Sequence, residues 1–260
     1  MNGDKLAHHL HLRSRDVGRY ALLPGNPDQV ASIAALLDAP EFVARNREFE
    51  TWRGTADGET VIVTSTGVGG PSTALAVEEL AALGVDTMIR VGVSGSMRAD
   101  IVNGELAVLT AAIRDEGTTR QYLPIEFPAV ADIDVVLALR QAADRAGVPY
   151  RCGPAHTKDS YYGETEPERM PLAATLTERF EAWRSGGAVC SEMETATVFI
   201  VGTVLNVRTG AVVMMWSQDA IDAGTAPSSD PLFTTAVDAV RTLITSSTPS
   251  TTPARTAGGA

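Results

Sequence analysis

Cysteine is scarce in this chain of 260 residues, with Cys152 and Cys190 the only two. Two thiols build no disulfide framework, and neither stands in a Cys-x-x-Cys or Cys/His spacing that would hold zinc. They read as ordinary thiols of a reducing compartment. Positive charge is short as well: 21 lysines and arginines face 32 acidic residues, a formal net charge of -11. That balance disfavours duplex nucleic acid and anionic membranes as partners, because both select basic patches. It leaves room for a small anion, since a few arginines inside an acidic protein still hold phosphate. No stretch reaches the ~18 uninterrupted apolar residues of a membrane span. The opening MNGDKLAHHLHLRSRD carries no apolar leader segment, so the expectation is a cytoplasmic protein. His8, His9 and His11 cluster without Cys or His partners at useful spacing elsewhere, which argues against zinc. Nothing resembles a Ser-His-Asp or Cys-His nucleophile arrangement, and His156, the remaining histidine, has no partner evident from sequence.

What the chain does have is apolar material, 44% of its residues, enough for a substantial core. Short apolar runs alternate with helical patterns from about residue 19 to 245. RYALLPG (19–25), TVIVTSTG (60–67), TMIRVGVSG (87–95), ELAVLTAAI (105–113) and TGAVVMMW (209–216) read as buried strands. Helical patterns cover 27–37, 72–83, 133–146, 170–183, 192–205 and 229–246, with Gly84 placed as a C-cap. The alternation predicts an α/β fold, a single domain over 1–245 with helices on both faces of a central sheet. Residues 246–260, rich in Ser, Thr, Pro, Gly and Ala, read as a disordered tail.

Chemistry is expected where polar residues interrupt strand ends, since ligands of open α/β sheets sit beyond the carboxyl ends of the strands. Arg90 lies inside an apolar run, where a guanidinium must be paired. It is either half of a structural ion pair or an anion site, with Gly92, Ser94 and Gly95 offering backbone N–H groups beside it. The turn TGVGGPS lacks the G-x-G-x-x-G spacing and has Pro71 opening the next helix, so its glycines fit close packing as well as a ligand. In CSEMETATVF, Glu192 and Glu194 stand near a helix start, where the dipole alone favours carboxylates. The same two carboxylates flanking Met193 would also hold the hydroxyls and ring of a sugar.

Together, LLPGNPDQV, NREFETWRG, VIVTSTGVGGPSTALAVEELAALG, IRVGVSGSM, FPAVAD, TKDSYYGETEPERMP and SEMETATVF resemble the uridine phosphorylases of the nucleoside phosphorylase family. The match keeps its order through nearly the whole chain. The resemblance implies a single α/β domain with a mixed central sheet, assembled as a hexamer that is a trimer of dimers. It implies a pentosyltransferase needing no cofactor: phosphate, the co-substrate, attacks C1′ of a nucleoside as the base departs, giving free base and (deoxy)ribose 1-phosphate. Catalysis would then be positioning and charge stabilisation. Carried over, Gly25, Arg90 and Ser94 would hold phosphate, with Arg47 from a neighbouring subunit. Glu192, Met193 and Glu194 would hold ribose, with His9 from the neighbour at the 5′-hydroxyl. Tyr161 would stack on the base and Arg169 would bond a base carbonyl. Glu48, Val68 and Ser72 match positions that hold a monovalent cation, usually potassium, between subunits.

Four positions depart from that pattern. Gln29 stands where the family usually places a phosphate-binding arginine, and Val93 where it usually has a threonine; both changes weaken the phosphate site. Glu164 replaces a glutamine of the base-reading loop, and an ionised carboxylate only accepts hydrogen bonds. A base presenting amino groups would suit it better. Asp219, in WSQDAID, stands near where purine-cleaving relatives carry a proton-donating aspartate, and reads equally as a solvated loop carboxylate. These departures leave open, beside phosphorolysis of uridine or a related nucleoside, a purine-nucleoside phosphorylase, a hydrolytic nucleosidase and a non-catalytic nucleoside binder.

Overall fold

The structure is a computed structural model that describes residues 5–246, with the backbone alone at position 218. Its strands are β1 (Tyr20–Pro24), β2 (Asp38–Asn46), β3 (Phe49–Ala56), β4 (Glu59–Thr64) and β5 (Thr87–Ser96). They continue as β6 (Leu106–Asp115), β7 (Ala129–Val130), β8 (Tyr150–Lys158), β9 (Cys190–Glu192) and β10 (Arg208–Trp216). The longer helices are α1 (Val30–Ala34), α2 (Gly70–Leu83), α3 (Ile133–Ala146) and α4 (Tyr161–Thr165). After them come α5 (Ala173–Ser185), α6 (Thr195–Val204), α7 (Gln218–Ala223) and α8 (Asp230–Ser246).

β5 is the hub. It pairs in parallel with β1 on one side and β10 on the other, and its last residues pair antiparallel with β9. The neighbour path β5, β10, β6, β8, β9 returns to β5, so this half of the sheet closes on itself. From β5 the other half runs open through β1, β4, β3 and β2. One apolar cluster joins α2 and α6 to the sheet through Val77, Leu80, Phe199 and Ile200. A second joins α3 and α8 through Val135, Leu139, Phe233 and Val240. The mixed sheet flanked by helices is the architecture expected from the sequence, with parallel strands buried on both faces.

The five apolar runs are all strands, and the helix over 133–146 has the expected bounds, opened by the Asp132 side chain and closed by Gly147. Gly84 closes α2 in the left-handed region. Other elements differ. In place of one helix over 27–37, a 3-10 turn over Pro27–Gln29 leads into the five residues of α1. The chain leaves there because Leu37 turns in against Gly54 of β3. β2 lies largely exposed, so no apolar alternation marks it. β8 carries Pro154, which lacks an N–H and sits at the register shift against β6. The tail expected over 246–260 falls outside the described residues, save Ser246, which ends α8.

Packing of α3 on the sheet is close: a Cβ at Gly210 of β10 would lie 2.2 Å from Val135 Cγ1. Gly210→Ala is therefore expected to cost about 1–3 kcal/mol in urea unfolding. Adding Val135→Ala should recover part of that loss. A single variant as stable as the parent would show that α3 shifts on the sheet without cost.

Candidate active site

Arg90 follows Met88 and Ile89 of β5 and is 3% exposed. Its Nε donates to Glu192 Oε2 at 2.9 Å, and its Nη2 lies 2.5 Å from Glu194 Oε2. Nη1 has no protein acceptor among the described residues. It faces Gly25, where an added Cβ would stand 3.9 Å away. The ion-pair reading of Arg90 thus holds for two of its nitrogens, Nε and Nη2.

The two glutamates divide the work. Glu192 ends β9 and has four protein donors: besides Arg90, Oε2 accepts from the Glu194 and Thr195 amides at 2.9 Å, and Oε1 accepts from Thr157 Oγ1 at 2.5 Å. It caps the start of α6, so the dipole reading describes it well. Glu194 has fewer donors: Oε2 pairs with Arg90 and Oε1 accepts from Gly69 N–H at 2.6 Å, with the Met193 amide close by. Burial raises its pKa, Arg90 opposes the rise and neighbouring Glu192 adds to it. Gly69 can present its amide this way because its φ of 89° lies in the region that favours glycine. Met193, between them in sequence, is half-buried.

Ser94 shares the face of β5 with Arg90, and its buried Oγ has no hydrogen-bond partner. A buried hydroxyl without a partner is costly, and a ligand oxygen would satisfy it. Gly25 and the half-buried Gln29 flank the turn after β1. Val93 lies 41% exposed at the carboxyl end of β5. Of the two cysteines, Cys190 lies close to Ser94, Arg90 and Glu192. Cys190 is fully buried, which pushes its thiol up to about 12, and Cys152 is free.

Two expected phosphate and ribose contacts lie elsewhere on the subunit. Arg47 is exposed at the tip of the β2–β3 hairpin with φ 55° and has no ion-pair partner among the described residues. Next to it, Asn46 Nδ2 donates to the His9 carbonyl at 2.7 Å, tying the His9 turn to that tip. His9 Nδ1 lies 2.8 Å from Glu79, whose carboxylate also takes the amides of His9 and Leu10. Burial raises the Glu79 pKa, but these donors outweigh it and hold the carboxyl below its usual range. The positions named for a cation also converge. A Cβ on Gly67 would meet Glu48 Cγ at 2.7 Å and Ser72 Oγ at 3.1 Å, and Ser72 Oγ donates to the Val68 carbonyl.

Among the residues expected to read the base, Tyr161 opens α4 and is 54% exposed. Arg169 points to Glu166 and lies over the Tyr162 ring, outside the pocket lining. Glu164 turns inward. Its Oε1 accepts from Lys158 Nζ at 2.8 Å, and its Oε2 meets Ser191 Oγ and His156 Nδ1. A pocket of about 260 Å³ opens between these residues and α5, lined among others by Lys158, Gly163, Glu164, Phe180 and Trp183. Sequence reasoning missed Lys158 and the partners of His156. The only cue was a polar pair alternating on β8, a strand that was itself unread. Asp219 is exposed in the first turn of α7.

Comparison with known proteins gives the same picture. The model of the phosphorylase superfamily matches residues 19–245. A uridine phosphorylase of Treponema pallidum (strain Nichols) is 42% identical over 247 residues, covering 93% of this chain and 96% of that protein. The uridine phosphorylase of Escherichia coli (strain K12) is 40% identical over 210 residues, 78% of this chain and 83% of its own length. A guanosine phosphorylase of Halorubrum lacusprofundi is 37% identical over 204 residues, with 78% and 80% covered.

Removing Arg90 would strand two buried carboxylates. Arg90→Ala should lower stability by about 3–5 kcal/mol in urea unfolding. Arg90→Ala combined with Glu194→Gln should regain part of this. Equal instability of the two would show that stranded charge is not the cause.

Proposed function

This chain belongs to the phosphorylase superfamily, and we propose that it cleaves the N-glycosidic bond of uridine or a related nucleoside with inorganic phosphate. The observation that carries this reading is the arrangement at Arg90, with one free nitrogen toward Gly25 beside a Glu194 that has fewer donors than Glu192. Phosphate binds Arg90 Nη1, the Ser94 hydroxyl, the turn at Gly25 and Gln29, and Arg47 of a neighbouring copy. Glu194 accepts the ribose hydroxyls, Met193 packs on the sugar ring, and a neighbour's His9 reaches the 5′ end. Glu192 contributes by fixing Arg90 and the start of α6.

A phosphate oxygen then bonds C1′ while the C1′–N bond breaks and its electron pair leaves with the base. Positive charge develops on the sugar ring beside the Glu194 carboxylate, which stabilises it. The site supplies orientation and electrostatics, so no enzyme nucleophile is required. Val93 contributes volume only, and Gln29 a neutral hydrogen bond.

Base recognition falls to Tyr161, Arg169, Glu164 and Lys158. Glu164 alone offers only acceptors, which suits an imide N–H and repels the carbonyl beside it. Lys158 Nζ, 2.8 Å from Glu164, supplies the missing donor, so the pair matches a base edge with N–H next to C=O. That suits a base with an imide or lactam edge such as uracil, and leaves Asp219 as a solvated carboxylate.

His9 and Arg47 sit together at one surface patch, which supports donation of both to a single neighbouring site. The reading therefore includes a homo-oligomer, a trimer of dimers, with potassium held at Glu48, Val68 and Ser72 between subunits. The working compartment is the cytoplasm, where no disulfide is demanded.

Chromatographic detection of free base from uridine, with and without inorganic phosphate, tests the reaction. Uracil is expected only with phosphate, and release in its absence would overturn phosphorolysis. Lys158→Met tests the base end. It should raise the nucleoside KM about 10- to 100-fold, the scale of a lost hydrogen bond to a charged group, and leave the phosphate KM unchanged. An unaltered nucleoside KM would remove Lys158 from base recognition.

A further inference from the structure

His156 is the one buried histidine among the described residues, 2% exposed in the middle of a charged cluster. Its Nε2 lies 3.1 Å from Asp115 Oδ2 of β6, and its Nδ1 lies 3.1 Å from Glu164 Oε2 of α4. Nδ1 is also 3.0 Å from Ser191 Oγ of β9. On its other side α5 covers it: the Trp183 ring stacks at 4.2 Å with a 30° tilt, and Phe180 meets it at 6.5 Å. The remaining charges near it are Lys158 of β8, which bonds Glu164 and Ser191, and Arg179 of α5, which bonds Asp115.

An imidazole flanked by two carboxylates satisfies both only when it carries two protons. We propose that His156 is a positioning residue whose imidazolium fastens Glu164, and with it the loop over residues 160–169, to the edge of β8. Glu164 is the fourth residue of α4 and anchors that helix to the sheet, while Tyr161 at its start projects outward. When His156 loses a proton, one ring nitrogen presents a lone pair to a carboxylate. At Nδ1 that lone pair would draw the Ser191 hydroxyl away from Glu164, leaving Glu164 held by Lys158 alone. The geometry agrees with the direction of titration: burial lowers the His156 pKa, but the hydrogen bonds and charges of Asp115 and Glu164 outweigh it and raise it.

The sign follows from that direction. A histidine with a raised pKa contributes its hold below the pKa and loses it as pH rises through that value. Base-side affinity should fall on the alkaline side, whereas phosphate affinity, set at Arg90, should not share this change. The inference rests on the reading that the 160–169 loop faces the base.

The test compares nucleoside KM against pH for the parent and for His156→Gln, which keeps a hydrogen bond and cannot titrate. In the parent, KM should rise about tenfold through the titration of one group, as expected when a hydrogen bond to a charged group is lost. In His156→Gln it should start near the alkaline value and lose that step. Ionisation of the nucleoside itself occurs with both proteins and cancels in the comparison. An identical pH step in the variant would overturn the proposal. A second measurement needs no variant activity: the imidazole resonances of the four histidines are followed against pH with and without uracil, His156→Gln serving only to assign one of them. Uracil should raise the His156 pKa, because the protonated form binds it more tightly, and an unmoved pKa would overturn the proposal. If Lys158→Met and Tyr161→Ala both leave the nucleoside KM unchanged, the base-facing reading of the loop has failed. If they raise it while the pH step survives in His156→Gln, only the role of His156 has failed.

Discussion

A guanidinium placed on the central strand of a sheet and cut off from water must find carboxylates, and in this chain those carboxylates come from a segment about a hundred residues later. Arg90 meets Glu192 and Glu194, and the three together tie β5, β9 and the start of α6 to one another. Gly69, ahead of α2, joins through its amide on Glu194. Burying such a triad brings little net stability, because desolvation offsets much of the attraction. Its value lies in geometry. Glu192 cannot turn without stranding two helix amides and Thr157, so Arg90 cannot turn either, and one nitrogen stays aimed at Gly25.

The loop over residues 160–169 is organised by different means. The surroundings of Arg90 rest on buried strands and the start of α6, whereas this loop hangs from a short helix held by Glu164. Lys158, His156, Ser191 and Asp115 form a polar network under α5, a helix with no buried residue of its own. Rigid contacts thus surround the atoms that would be common to every nucleoside substrate, and adjustable ones surround the part in which nucleosides differ.

Much of this was legible in the sequence, for physical reasons. Buried parallel strands such as 87–95 read as continuous apolar runs, and helical spacing of apolar residues marked α3. Arg90 was conspicuous because a charge inside such a run needs an explanation. Glu192 and Glu194 were visible as a pair, but which one caps a helix and which has fewer donors depended on Thr157 and Gly69, distant in sequence. The β2–β3 hairpin escaped notice because its outer strand faces away from the core and shows no alternation. His156 and Lys158 escaped because β8 is broken by Gly153 and Pro154, and because their partners come from three other elements. A histidine's role is set by what surrounds it, and the surroundings of His156 are assembled only by the fold.

Gly92 shows how such a site constrains its own history. A Cβ there would stand 2.9 Å from Arg90 Nη2 and 3.0 Å from Cζ, so the plane of the guanidinium occupies the space a side chain would need. Positions 90 and 92 are therefore sterically coupled. A lineage that enlarges residue 92 first displaces the charge, and one that first replaces the arginine leaves two acids unpaired in the core. Neither single step is easy, so diversification in this fold is expected to spread through exposed loops such as 160–169 and to bypass the centre of β5.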